Sequence, residues 1–396
     1  MMKVQISQRP VGQGGLCEGV LEAGEDVIRW IYDCGSNQID RLRKEISTVH
    51  RDLDLVFLSH LDDDHVNGLD HLLVNKDVVE VVLPYLEDHE RLIVLAQAAA
   101  QGRLSGQFAT FMADQTGWLR NRGVERITFV EGPGETDGED ASTPRLPPDA
   151  GPETKGPLTP DWSIPAGGSA ARRDGVARVP AGAMIQMTDV AHRIADWVFL
   201  PFAHPPSKAL MRAFEAELAA QFPGMKPADI VQTIWTSRGR EKLQTCYDAL
   251  WSSDTNLVSM SLYAGPATDA GRWREAVTLG ARHYHLRRGA RTAGWLATGD
   301  AKLSGKGRRG GFGKFYAGVL DKVVVLVAPH HGAANSWESA ILIGMTRLSV
   351  GCAAAGPNGY GHPHKAVSDD IDAHPGAVFW QVSDDPFSIL RLEAQI

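Results

Sequence analysis

The chain is poor in cysteine. It has four in 396 residues, at positions 17, 34, 246 and 352, widely separated and without any C-x-x-C spacing. That pattern argues against a disulfide framework and against a cysteine-ligated zinc site. It also has no run of 18 apolar residues, so no transmembrane helix is expected. The first ten residues carry Lys3, Gln5, Ser7, Gln8 and Arg9 and lack the apolar stretch of a secretory signal. Together these absences lead to the expectation of a cytoplasmic protein with no membrane partner. A basic surplus is missing too: 40 Lys and Arg face 48 Asp and Glu, for a formal net charge of -8. That excludes a surface given over to phosphate neutralisation but leaves room for a local basic groove. No repeat of solenoid period is found.

What the chain does have is ordinary globular composition, 43% hydrophobic and 22% charged. At this length one large domain with insertions, or two domains, is expected. Short apolar runs separated by glycine-bearing turns predict strands near Val4–Ile6 and Val27–Tyr32. Leu53–Ser59 is a compact apolar run ending in aspartate-rich sequence, and Val66, Leu69, Leu72 and Leu73 then recur at helical spacing. An Asp/His cluster therefore sits at a strand-to-helix junction. Val78–Leu83 predicts another buried strand, and His89 to about Arg122 is rich in helix formers. Between about 132 and 182 Pro, Gly, Asp, Thr and Ser crowd out large apolar residues, which predicts a mobile loop. Trp197–Phe202 predicts a strand, and Ala209–Phe222 and Leu243–Trp251 predict helices. Later strands are expected at Leu257–Tyr263, Trp295–Ala297, Val323–Ala328, Leu348–Ala353 and Ala377–Val382, with a helix near Lys365–His374.

The chemistry is concentrated at strand ends. Ser59-His60-Leu61-Asp62-Asp63-Asp64-His65-Val66-Asn67-Gly68 offers imidazole and carboxylate donors of the kind that Zn²⁺, Mn²⁺ and Fe²⁺ accept. Alone, such a segment reads equally as an acidic turn capping a helix. Thr298-Gly299-Asp300 and Pro329-His330-His331-Gly332 close two further apolar runs with a carboxylate and with imidazoles. Three strand ends bearing ligand chemistry make coincidence a poor explanation. Asp33, in Tyr32-Asp33-Cys34-Gly35, reads as a turn residue that orients the metal loop, and Asp63 points away if Asp62 and Asp64 point in.

These segments resemble the metallo-β-lactamase superfamily, with Asp62 where the usual His-x-His-x-Asp-His motif has its second histidine. Val11-Gly12-Gln13-Gly14 and Gly359-Tyr360-Gly361-His362-Pro363-His364 extend the resemblance to one branch, the hydrolase domain of bacterial competence proteins that process DNA during uptake. The matching segments span about residues 4 to 83 and 256 to 393. The resemblance implies a four-layer αββα sandwich of α/β class. Its core would be split into 1–88 and 256–396 by an insertion at 89–255 of helices and a Pro/Gly-rich loop. It further implies two divalent metal ions, Zn or Mn. His60 and Asp62 would hold one; Asp64, His65 and one of His330 or His331 would hold the other, with Asp300 bridging. Asp64, His362 and His364 would serve catalysis. The family's third histidine, on the strand before the bridging aspartate, has no equivalent in Asn256–Tyr263. His204 and the pair His283 and His285 are weaker candidates to replace it.

Substrate class is open on this reading. The branch resemblance favours a phosphodiester of nucleic acid or nucleotide. Basic clusters at Arg287, Arg288 and Arg291 and at Lys302, Lys306, Arg308, Arg309 and Lys314 could track a phosphate backbone, or could be a solvated, glycine-rich flexible loop. Lys302, Lys306, Arg308 and Tyr360 are the expected substrate-binding residues. Competing readings are a small-molecule ester, lactone or thioester hydrolase with the insertion as a lid, and a partner-binding module whose metal site is degenerate. A free-standing copy of such a domain is also compatible with a protein partner from a shared operon.

Overall fold

The computed structural model describes residues 1–396 apart from 105, 134–140, 152, 154, 155, 251–258, 270, 281 and 285–290, and gives the backbone alone at 282–284. The chain opens with β1 (Met2–Gln8), β2 (Gly14–Ala23), β3 (Asp26–Ser36), α1 (Ile39–Thr48) and β4 (Asp52–Phe57). The short α2 (Asp63–Val66) and α3 (Leu69–Asn75) lead to β5 (Asp77–Pro84). The middle of the chain supplies α4 (Asp88–Ala100), α5 (Gly106–Ala113), α6 (Gln115–Arg120), β6 (Arg126–Val130), β7 (Leu158–Ser163), β8 (Val176–Val179), β9 (Met184–Asp189) and β10 (Ile194–Ala203). Three helices follow: α7 (Lys208–Gln221), α8 (Pro227–Thr233) and α9 (Ser237–Asp248). The last part holds β11 (Met260–Gly265), β12 (Arg274–Leu279), β13 (Arg282–Tyr284), β14 (Gly294–Ala297), α10 (Lys306–Tyr316), β15 (Val323–Val327), β16 (Val350–Ala354), α11 (Lys365–Ala373), β17 (Val378–Val382) and β18 (Leu390–Gln395).

Among the described residues the strands form two sheets, in the order β13-β12-β18-β1-β2-β3-β4-β5-β6-β8 and β17-β16-β15-β14-β11-β10-β9-β7. Strand alternation assigns each side chain to a layer. In β10, Trp197 and Phe199 join the apolar cluster between the sheets, whereas Val198, Leu200 and Phe202 join the cluster under α10 and α11. In β5, Val82 faces the inter-sheet cluster, and Val81 and Leu83 join the cluster that includes α1, α3 and α4. Helices therefore cover the outer face of each sheet, giving the expected four-layer αββα sandwich of α/β class. The inter-sheet core is stitched by aromatics, with Trp30 edge-on to Phe199 at 4.9 Å and Trp197 edge-on to Trp273 at 5.6 Å. All four cysteines are free and buried.

Two segments differ from expectation. Residues 132–182, read as loop, contain β7 and β8. Each lies at a sheet edge, where β7 tolerates Thr159, Pro160 and Asp161, residues that would disrupt a central strand. The glycine-rich basic segment after Asp300, for which a flexible loop is one of two readings, forms α10. Its apolar residues Phe312, Phe315 and Tyr316 are buried at i, i+3 and i+4, enough to hold a helix that its glycines weaken. The middle of the chain is also more than helix and loop, since β6 to β10 extend both sheets. Of the first basic cluster, residues 287 and 288 lie outside the described residues, as does 285. Among the described residues, no helix is long and apolar enough to cross a membrane.

Candidate metal centre

The Asp/His loop leaves β4 between the two sheets and is clamped from below by Asp33. That residue sits at φ 61°, a left-handed conformation which Asp tolerates better than most residues. Its Oδ1 accepts from Ser59 N at 2.6 Å, and its Oδ2 accepts from Ser59 Oγ at 2.7 Å and from His65 Nδ1 at 2.9 Å. Close approach of the loop depends on Gly35: a Cβ there would strike the backbone of Asp64 and His65. β14 delivers Asp300, whose backbone N–H donates to Ser259 Oγ at 2.9 Å. β15 delivers His330 and His331, both left-handed at φ 49° and 55°. That kink fans two adjacent side chains apart.

All four histidines are tethered through Nδ1. His65 donates to Asp33, His60 Nδ1 pairs with Ser59 Oγ at 2.8 Å, His331 Nδ1 donates to the Ala354 carbonyl at 2.9 Å, and His330 Nδ1 pairs with Ser336 Oγ at 3.2 Å. Fixing one ring nitrogen presents the other, here Nε2, to the site. The four Nε2 atoms divide over the Asp300 carboxylate. His65 and His331 lie 3.4 and 3.6 Å from Oδ1, and His60 and His330 lie 3.6 and 3.7 Å from Oδ2. His331 Nε2 is also 3.6 Å from Asp64 Oδ2 and 3.4 Å from His65 Nε2.

Two sets of donors thus converge, His60 with His65 and Asp300, and Asp64 with His65 and His331, each with ligand atoms within 4.8 Å of one another. Their chemistry fits a divalent cation. His60 Nε2 is buried with no hydrogen-bond partner among the described residues, the state of a ligand atom rather than of a packed core histidine.

The electrostatics agree. Burial works against a charged His65, but Asp300 and Asp33 outweigh it and hold its pKa well above the ordinary value. His331 is raised likewise, Asp300 overcoming burial. Burial would raise the pKa of Asp300, yet His331, His330, His65 and His60 hold it well below the usual range. The field that binds protons here binds any cation. His60 is the exception, its pKa lowered to about 4 by burial and then by His65, so its Nε2 lone pair is available.

The remaining expected residues fall around this centre. Asp62 lies outside both sets, and its Oδ2 accepts from Gln97 Nε2 on α4 at 2.7 Å. Burial, then Asp64 and Asp300, push its pKa up to about 7. Asp63 accepts from Asn67 at 3.3 Å. His204 is also outside the sets, its Nε2 2.7 Å from Ser261 Oγ, with its pKa lowered to about 3 by burial and then by Arg308. Nothing is described of the His283 side chain. At the rim, the His362 ring lies 5.3 Å from that of His330, 5.1 Å from that of His364 and 5.7 Å from Tyr360, which is exposed. His364 Nδ1 accepts from Ala334 N at 3.1 Å, which places its ring proton on Nε2. Lys302 lies in the loop before α10, and α10 carries Lys306 and Arg308, with Arg309 ion-paired to Glu338. Sequence reasoning missed Ser59, Ser336, the Ala354 carbonyl and Gln97. Only Ser59, beside a candidate ligand at a strand end, had a local signal.

No protein-family model matches the chain, and no curated protein does. Among solved structures it is similar to the metallo-β-lactamase fold protein YhfI from Bacillus subtilis, at 9% identity over 96% of each chain with a TM-score of 0.36. The site therefore stands on its own geometry.

Proposed function

We propose that the protein is a metal-dependent hydrolase of the metallo-β-lactamase fold that cleaves phosphodiesters of nucleic acid or nucleotides. The observation that carries the metal-dependent reading is the two-and-two division of four imidazole Nε2 atoms over the oxygens of Asp300. In this arrangement Asp64, His65 and His331 would hold one divalent ion and His60 and His330 the other, with the two oxygens of Asp300 available to both sets. His330 then supplies the ligand that the strand before Asp300 lacks, so the two paired histidines serve different ions. Asp62, although outside both converging sets, would be a further ligand on the His60 side through the carboxylate oxygen that Gln97 leaves open. Zn or Mn suits such mixed nitrogen and oxygen sets. Bound there, two such ions would supply a nucleophile from water at neutral pH and neutralise charge on the reacting phosphate.

The protein's own groups do the rest. Asp33, Ser59 and the Ala354 carbonyl fix the ligand rings before substrate arrives, so no reorganisation is needed during reaction. His364, with its proton on Nε2, and His362 beside it stand at the rim where they can donate to a phosphate oxygen. Tyr360, exposed and stacked on His362, offers a face for a base. Lys302, in the loop that follows Asp300, and Lys306 and Arg308 on α10 supply positive charge in keeping with a polyanionic substrate.

A second reading is hydrolysis of a small ester, lactone or thioester; a cavity of about 640 Å³ lined by Tyr85, Glu131, Arg178, His204, Lys208 and Arg212 has a volume suited to a small ligand, but none of its lining residues belongs to the converging metal sets. The two separate in one assay. Purified protein with Mn²⁺ or Zn²⁺ is offered labelled single- and double-stranded DNA and RNA beside small esters, with an Asp64→Ala, His65→Ala control and an elemental metal count. Metal-dependent cleavage of a nucleic acid that the control lacks is the expected result. Ester turnover alone would transfer the assignment to the second reading, and absence of bound metal would overturn both.

A further inference from the structure

Asp62 and Gln97 belong to different parts of the chain, one to the ligand loop after β4 and the other to α4. Gln97 is buried, 6% exposed, and its Nε2 donates to Asp62 Oδ2 at 2.7 Å. A buried amide donating to a carboxylate at that distance makes a charge-assisted bond, stronger than one between neutral groups. The same helix is locked to the loop by packing: Leu58, Leu61 and Val66 share one apolar cluster with Leu92, Ile93, Leu95 and Ala96. α4 in turn packs against α7, α8 and α9, and Phe214, Leu218, Ile230, Leu243 and Cys246 belong to that cluster as well. One helix therefore touches a candidate ligand at one face and carries the helical part of the middle segment on the others.

We infer that Gln97 is a positioning residue for the metal centre, orienting the Asp62 carboxylate and coupling metal occupancy to the docking of α4 and the helices packed on it. The inference rests on the metal-dependent reading above. A carboxylate where a rigid imidazole is more usual has two free torsions and two equivalent oxygens. A single fixed donor on Oδ2 settles both, leaving Oδ1 as the ligand atom. Linkage then requires reciprocity: if docked α4 raises metal affinity, bound metal stabilises docked α4 by the same factor.

The test is a double-mutant cycle on metal affinity, measured by chelator competition with Zn²⁺ on the full-length metal-free protein. Gln97→Met keeps the volume and removes the donor. It is expected to weaken the ion on the His60 side by about ten- to a hundredfold, the usual cost of losing a partner that orients a ligand. In an Asp62→Ala background the same substitution is expected to cost nothing further, because its route to the metal is gone. A packing role alone would give the same loss in both backgrounds. A second measurement needs no variant: hydrogen exchange of the wild-type α4 amides should slow when Zn²⁺ is added. A wild-type chain that binds Zn²⁺ while Gln97→Met binds it equally well, or while exchange in α4 is unmoved, overturns this inference alone. A wild-type chain that binds no divalent ion overturns the metal-dependent reading with it.

Discussion

His330 and His331 are neighbours in the chain, yet their Nε2 atoms approach opposite oxygens of Asp300, at 3.7 and 3.6 Å. Two successive left-handed residues make this divergence feasible, because an extended or helical backbone would not spread adjacent side chains across one carboxylate.

The two single variants should therefore differ. His331→Ala removes a group that meets Asp64, His65 and Asp300 together and is expected to abolish hydrolysis and the metal held with Asp64. His330→Ala should leave one ion per chain and lower turnover by about ten- to a hundredfold. Elemental analysis and turnover of the two variants check this: one ion per chain is expected in each, with hydrolysis abolished only in His331→Ala, and loss of both ions from either variant would refute the separate assignment.

Asp33 makes three hydrogen bonds that order the ligand loop. Asp33→Asn replaces an oxygen acceptor by an amide donor facing Ser59 and His65. It is expected to lower metal affinity by about tenfold or more. Asp33→Gly relieves the left-handed backbone but deletes the same bonds, so it should lose affinity without gaining stability. Equal affinity in wild type and Asp33→Asn would show that the loop orders itself.

Glu90, at the start of α4, accepts from Glu87 N at 2.6 Å, yet burial pushes its pKa up to about 7. A carboxyl whose folded pKa exceeds its unfolded value favours folding while it is protonated. Its contribution is complete below the unfolded pKa, near 4.3, and is lost as pH rises towards 7. Chemical unfolding of wild type should therefore show stability falling across that window. Glu90→Gln should flatten the fall by about 1–2 kcal/mol, after allowance for the partial exposure of the site. An unchanged pH profile would place the titration elsewhere.

If the substrate is a polyanion, α10 sets the salt response. Lys306→Ala should weaken binding of a labelled single-stranded oligonucleotide and reduce the slope of log affinity against log salt by about 0.7 for each phosphate that the lysine no longer neutralises. Small-ester turnover should not change. An unaltered slope would remove Lys306 from the substrate path.

Much of this was legible in the sequence, for identifiable reasons. Val323–Leu326 and Leu55–Leu58 are buried on both faces and read as continuous apolar runs, and each is followed within a few residues by its candidate ligands. The edge strands β7 and β8 were not legible, whereas β17, also at an edge, was. Thr159-Pro160-Asp161 in β7 has the composition of a loop because half of an edge strand faces solvent. α10 was hidden by glycine, its apolar spacing confined to Phe312, Phe315 and Tyr316. At the site, residue type identified His60, Asp64, His65 and Asp300. The divergence of His330 and His331 over the two oxygens of Asp300 is a matter of backbone dihedrals, which pattern alone does not carry. Gln97 lies 35 positions from Asp62 and has no local mark at all.

The four cysteines have a consequence of their own. Each thiol is buried, and burial pushes the pKa of each upward, so the native chain presents neither an accessible thiol nor a thiolate. Cys17 and Cys352 lie between the sheets, Cys34 in the cluster beneath the Asp/His loop and Cys246 on α9. The molecule thus carries built-in clocks in separate layers. The order in which an alkylating reagent marks them records which layer opens first.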